Sequence, residues 1–191
     1  MKSRILTVPN QLTFLRLGFL PFFIISIHYR RYDIALGVLI LAGLTDGLDG
    51  LLARSLNQKT ALGAYLDPIA DKLLLSSSVV VLALNRKISW WLATLVLSRD
   101  ILLLTSAAVI LVVAGYRPFP PSIYGKLTTA VQILLVFAVV LLAVTDWPWL
   151  QVVRTILAYL VAGFTVYSGF HYSIVVARRL GEQPGNAKES T

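Results

Sequence analysis

Residues 46–71 read DGLDGLLARSLNQKTALGAYLDPIAD, and they place aspartates at 46, 49, 67 and 71 in chain whose flanks are almost pure hydrocarbon. An ionised carboxylate in such a setting is costly and is kept only beside a partner, a cation or a water-filled cavity. The spacings Asp46-x2-Asp49 and Asp67-x3-Asp71 put each pair on one helical face. At about 100° per residue, Asp46, Asp49, Gly50, Ala53 and Arg54 project within an arc of about 140°, and Gly63, Asp67 and Asp71 within about 80°. The stretch therefore predicts two consecutive antiparallel helices, tightly connected, with polar stripes turned toward each other. Four hard oxygen donors on one cavity form a ligand set for divalent cations, which would neutralise the buried charge. Gly50, Ala53 and Gly63 leave room on the same stripe for a ligand to lie against the backbone. Arg54 offers a planar fork suited to a phosphate. Carboxylates, metal, arginine and small residues together describe a site for a diphosphate-bearing substrate.

The remainder of the chain supplies a membrane around that site. Its 191 residues are 57% hydrophobic and 14% charged, with a mean hydropathy of +0.77, whereas a soluble domain carries about a quarter charged residues. Six apolar stretches, 11–28, 33–54, 60–84, 88–114, 122–145 and 149–177, approach or exceed the roughly 20 helical residues that cross a bilayer. The first opens like a signal peptide, with Lys2 and Arg4 ahead of it. Arg16 and Pro21 interrupt it and no small-residue cleavage site follows, so it reads as a retained span. The expectation is an all-α polytopic membrane protein with six transmembrane helices, forming one domain over 1–177 with a polar tail over 178–191.

Basic residues set the orientation. Lys2, Arg4, Arg54, Lys59, Arg117, Arg178, Arg179 and Lys188 gather on one side, against Arg30, Arg31, Arg86 and Lys87 on the other, which predicts both termini in the cytoplasm. Trp90, Trp91, Trp147 and Trp149 all fall at the opposite, outer interface, where indoles anchor. The four aspartates then face the cytoplasm. A net charge of +8 spread over short loops suits anionic lipid headgroups and not nucleic acid. The absence of cysteine excludes disulfides, thiolate metal sites and cysteine nucleophiles.

The run Asp46-x2-Asp49-Gly50-x2-Ala53-Arg54-x8-Gly63-x3-Asp67-x3-Asp71 resembles the complete signature of the CDP-alcohol phosphotransferases, eight specified positions over 26 residues. Pro9-Asn10-x-Leu12-Thr13-x2-Arg16 is similar to the opening of their phosphatidylglycerolphosphate synthase and CMP-forming cardiolipin synthase branch. Gly125-Lys126-x-Thr128-Thr129-x2-Gln132 is similar to a later element of the same branch, so the likeness covers roughly residues 8–177. The resemblance implies that Asp46, Asp49 and Asp67 ligate two divalent metals, Mg²⁺ or Mn²⁺, with Asp71 close to them. It implies that the diphosphate of CDP-diacylglycerol binds those metals and that Gly50, Ala53, Arg54 and Gly63 accommodate the cytidine nucleotide. Asp71 would be the general base, and CMP the leaving group. It also implies a homodimer in the bacterial inner membrane, with its active site toward the cytoplasm.

The acceptor is read in two ways. Glycerol 3-phosphate, giving phosphatidylglycerol phosphate, is the first choice, on the Pro9-Asn10 element and on Arg99 and Lys126 as a phosphate clamp. Phosphatidylglycerol, giving cardiolipin, is the alternative, on Ser98-Arg99-Asp100 and the Thr128-Thr129 pair. Arg99 and Asp100 also admit a local ion pair, and Lys126 an interfacial side chain that snorkels. Two readings of other kinds, a cation transporter and a non-catalytic lipid-binding scaffold, fit less well. A transporter spreads carboxylates over several helices near mid-membrane and usually shows a repeat, and a scaffold needs neither a metal cluster nor a base.

Overall fold

The computed structural model describes residues 8–55, 61–114 and 123–181, with side chains over 11, 13–48, 70–105 and 125–170. Six helices follow one another: α1 (Val8–His28), α2 (Tyr32–Ser55), α3 (Ala61–Leu84), α4 (Trp90–Ala114), α5 (Ile123–Thr145) and α6 (Pro148–Gly181). No strand occurs among the described residues. The apolar stretches of the sequence thus become helices, with ends within a few residues of those expected. The exception is α6, which runs on through Arg178–Gly181, where the sequence predicts the start of a polar tail.

Two described stretches have the length and apolarity to cross a membrane: Gly125–Thr145, with mean hydropathy 2.7, and Pro148–Phe170, with mean hydropathy 1.5; α1 adds the shorter Thr13–His28. Large apolar side chains such as Phe22, Ile101, Leu134 and Phe170 stand exposed on the outside of the bundle. Apolar exposure on this scale marks a surface that meets something other than water. Together with the two apolar helices, it identifies a membrane protein.

Inside, Phe23 and Ile27 of α1, Val79 and Leu82 of α3, Leu92 and Val96 of α4, Val136 and Val140 of α5 and Val161 of α6 form one core. Small and β-branched residues predominate, so the backbones approach closely and dispersion contacts hold the helices together. Three tight turns close the bundle at one end. At the first two, the last helical turn ends in a six-to-one hydrogen bond, Arg31 N to Ser26 O at 2.8 Å and Lys87 N to Leu82 O at 2.9 Å. Arg30 and Arg86 then adopt φ of 58° and 56°, the left-handed conformation that ends many helices.

Helix α1 packs on both α2 and α3, α5 packs on α2, α3 and α6, and α4 packs on α3 and α6. Over their described residues α2 and α3 make no packing contact with each other. The sequence predicts two stripes face to face: their described members, Asp46 and Asp71, share one partner on α1, the other six residues lie outside the described side chains, and between the two helices is a gap with α1 and α5 packed on both.

Candidate active site

That gap is a cavity of about 430 Å³. Asp46 of α2 and Asp71 of α3 stand at one end, and Leu44, Leu74, Ile133 and Phe137 line its walls. Arg16 of α1 reaches into the space between the carboxylates although it is only 1% exposed. Its Nη2 lies 2.8 Å from Asp46 Oδ1, and its Nη1 donates to Asp71 Oδ1. One guanidinium thus joins three helices. The carboxylates remain open to the cavity, with side chains 56% and 47% exposed.

Asp49, Gly50, Ala53 and Arg54 continue α2, and Gly63 and Asp67 lie on α3; the side chains of all six fall outside the described residues. Among the described residues no three acidic or histidine side chains gather around one point. The donors that are described suit a divalent cation. Asp46 and Asp71 present hard anionic oxygens from two helices within bonding reach of the same guanidinium, so both can serve one small volume.

A second polar system lies behind α3. Asp100, buried on α4, accepts from Lys72 Nζ at 2.6 Å and Arg99 Nη1 at 2.9 Å, and its second oxygen accepts from Ser76 Oγ at 3.1 Å. The local Arg99–Asp100 pair is therefore formed, and Lys72 belongs to it and not to the aspartates of the cavity. Among the described residues Arg99 Nη2 has only long contacts, to Gly125 O (3.5 Å) and Ser168 Oγ (3.4 Å). The guanidinium also borders a separate cavity of about 300 Å³ between α4 and α6, walled by Leu95, Leu102, Val166 and Phe170. Lys126 is exposed on α5, next to the Gly125 carbonyl that Arg99 touches. The structure thus brings Asp46 and Asp71 together, and sets Arg99 on another face.

The roles of Arg16 and Gln132 go beyond the sequence motifs that contain them. An arginine midway along an apolar span demands a carboxylate, and that demand was the signal for Arg16. Gln132, 1% exposed, has no hydrogen-bond partner for either amide atom among the described residues. No sequence signal marks it apart from its place in the Gly125–Gln132 element.

The profile of the CDP-alcohol phosphatidyltransferases matches residues 6–167. The chain belongs to this family. It is 37% identical over 189 residues to the human "Cardiolipin synthase (CMP-forming)", an alignment covering 87% of this chain and 61% of that protein. Identity is 35% over 187 residues to the protein of the same name from Streptomyces coelicolor, with 92% and 85% covered. A Mycobacterium tuberculosis relative named "Probable phosphatidylglycerophosphate synthase" is 36% identical over 137 residues, with 69% and 64% covered. The chain thus spans about three fifths of the human relative's length. In this CDP-alcohol phosphatidyltransferase, Asp46 and Asp71 are the first and last aspartates of the family run quoted above, and the cavity between them is its candidate active site.

Proposed function

We propose that the chain transfers a phosphatidyl group from CDP-diacylglycerol to the hydroxyl of a glycerol-type acceptor, releasing CMP. One observation carries this reading: a cavity with two open carboxylates at one end and hydrocarbon walls along the rest. Such a shape receives an amphiphile, its charged head among the aspartates and its chains against Leu74, Ile133 and Phe137. Asp46, Asp49, Asp67 and Asp71 would hold two divalent ions, Mg²⁺ or Mn²⁺. When bound, these supply the positive charge that the diphosphate and the departing CMP oxygen require.

The residues of the chain do the rest. Gly50, Ala53, Arg54 and Gly63 make the bed for the cytidine nucleotide. Arg16 holds Asp46 and Asp71 at a fixed separation across the gap. Asp71 takes the proton of the acceptor hydroxyl as its oxygen bonds to the lipid-side phosphorus, and the bond from that phosphorus to the CMP oxygen breaks. Six spans with both termini in the cytoplasm would turn the aspartates to the cytosol. The exposed Trp90, Trp91, Trp147 and Trp149 at the far end of the bundle support that orientation. A homodimer in a bacterial inner membrane completes the proposal.

Of the two acceptors, phosphatidylglycerol is favoured. The relatives named cardiolipin synthase align over more of this chain, and the hydrocarbon walls of the cavity that holds Asp46 and Asp71 suit an acceptor that carries acyl chains. Glycerol 3-phosphate remains the second reading, on the relative named phosphatidylglycerophosphate synthase, which aligns over 69% of this chain. Purified protein with Mg²⁺ or Mn²⁺, CDP-diacylglycerol and each acceptor in turn separates them. Cardiolipin and CMP are expected with phosphatidylglycerol; phosphatidylglycerol phosphate would select the second reading. No CMP release with any alcohol would sink the activity itself.

A further inference from the structure

At the end of the bundle remote from Asp46 and Asp71, the α3–α4 turn and the start of α6 enclose a cavity of about 470 Å³. Arg86 and Lys87 enter it from the turn and Arg154 from α6, with Ser89 at the lip and Trp90, Trp91 and Tyr159 around it. Two guanidinium-bearing residues, Arg86 and Arg154, share a lining with no carboxylate, and among the described residues neither has an ion-pair partner. Lys87 Nζ rests 4.8 Å from the centre of the Tyr32 ring. The turn itself directs Arg86 and Lys87: Arg86, at φ 56°, is fixed by its N–H bonded to Ala83 O at 3.0 Å, and Lys87 N is bonded to Leu82 O. The 25-residue helix α4 also begins here, with Trp90 and Trp91 of its first turn in the lining.

The basin does not end at its rim. Tyr159 belongs both to it and to an apolar groove of about 400 Å³ formed by Leu160, Gly163, Phe164 and Tyr167. From Tyr159 to Tyr167 the helix rises about 12 Å, so the groove leads from the interface along the hydrocarbon-facing side of α6. A compact basin of uncompensated positive charge opening onto a hydrocarbon channel, with indoles at the junction, matches one chemistry: a phosphate headgroup joined to an acyl chain. We propose that this is a binding site for an anionic phospholipid, with its phosphate between Arg86 and Arg154 and one chain along Leu160–Tyr167. It lies at the opposite end of the bundle from the reaction and does not depend on the activity proposed above.

The test uses dioleoyl phosphatidic acid, which lacks an acceptor hydroxyl and so reports on binding apart from turnover, with dioleoyl phosphatidylcholine as the uncharged comparison. Titrated into delipidated protein and followed by native mass spectrometry, phosphatidic acid should bind roughly tenfold or more tighter than phosphatidylcholine. Arg86→Gln/Arg154→Gln should erase that preference, while Arg31→Gln, an exposed change at the same end but outside the basin, should keep it. Gly163→Leu gives an independent handle. A Cβ there meets nothing within 4 Å, so the side chain enters open groove and should weaken lipid binding without disturbing the fold. The proposal is overturned if the double variant keeps the preference, if Arg31→Gln removes as much of it, or if Gly163→Leu binds phosphatidic acid as wild type does. Displacement of the lipid by equimolar inorganic phosphate would equally overturn it, since the site would then read the free anion.

Discussion

Asp100 is the carboxylate on which the buried charge behind α3 depends, and its removal gives a sharp test. In Asp100→Asn, Arg99, 4% exposed, and Lys72, 26% exposed, lose the group that Arg99 Nη1 and Lys72 Nζ approach at 2.9 and 2.6 Å. The Gly125 and Ser168 contacts at 3.5 and 3.4 Å are neutral and too long to compensate. Leaving a buried charge without its partner costs about 3–5 kcal/mol. For a chain of this size each kcal/mol moves the thermal midpoint by about 2–4 °C, so the loss should be about 6–20 °C. Replacing the pair whole, as Arg99→Met/Asp100→Leu, should recover most of that stability, because a buried ion pair exchanged for hydrocarbon of similar volume is often neutral or better. Lys72 keeps enough exposure to turn its ammonium outward. The measurement is tryptophan fluorescence on heating in detergent with chelator present, which keeps metal binding out of the comparison. A midpoint for Asp100→Asn within about 2 °C of wild type would refute the assignment of Asp100 as the counter-charge. So would a double variant no more stable than the single one.

Asp71→Asn should lower turnover by about 10²–10⁴-fold while sparing CDP-diacylglycerol binding, whereas Asp49→Asn should weaken metal and nucleotide binding together; near-normal turnover in Asp71→Asn, measured as CMP release, would move the base elsewhere. Gln132→Met keeps the length of a side chain whose amide has no partner, and should stabilise the fold by about 1–3 kcal/mol. A fall in the melting midpoint would mean instead that a ligand or water satisfies that amide.

The helices were legible because each apolar stretch is close to the length of a span and ends at charged or small turn residues. Asn85-Arg86-Lys87 closes α3 and Asp146 closes α5 in this way. The far end of α6 was not, since hydropathy reports the membrane boundary and not the end of the helix. Arg178, Arg179 and Leu180 are good helix formers, and the helix carries them beyond the apolar stretch. The place of the candidate site was legible from Asp46 and Asp71, which line one cavity, because carboxylates in hydrocarbon have few uses apart from a site. Its wiring was not. The pairing of Arg16 with both aspartates depends on α1 lying against α2 and α3 at once, and Lys72 meets Asp100 across 28 residues of sequence. Spacing within one helix carries no information about either.

Asp71 and Lys72 are neighbours on α3, about 100° apart around its axis. Asp71 looks toward α1 and the cavity, and Lys72 toward α4 and Asp100. Two charged contacts in different directions fix a helix against rotation more firmly than either alone, since turning α3 to relax one lengthens the other. The charge cluster behind α3 thus aims the proposed base from the far side, and Arg16 sets its distance from Asp46. Because the two contacts lie on separate helices, loosening α4 would misdirect Asp71 without touching any residue that lines the cavity. Asp100→Asn should therefore lose turnover even at temperatures where it remains folded. Arg99→Met/Asp100→Leu, stable but with Lys72 released, should regain its melting midpoint and not its rate.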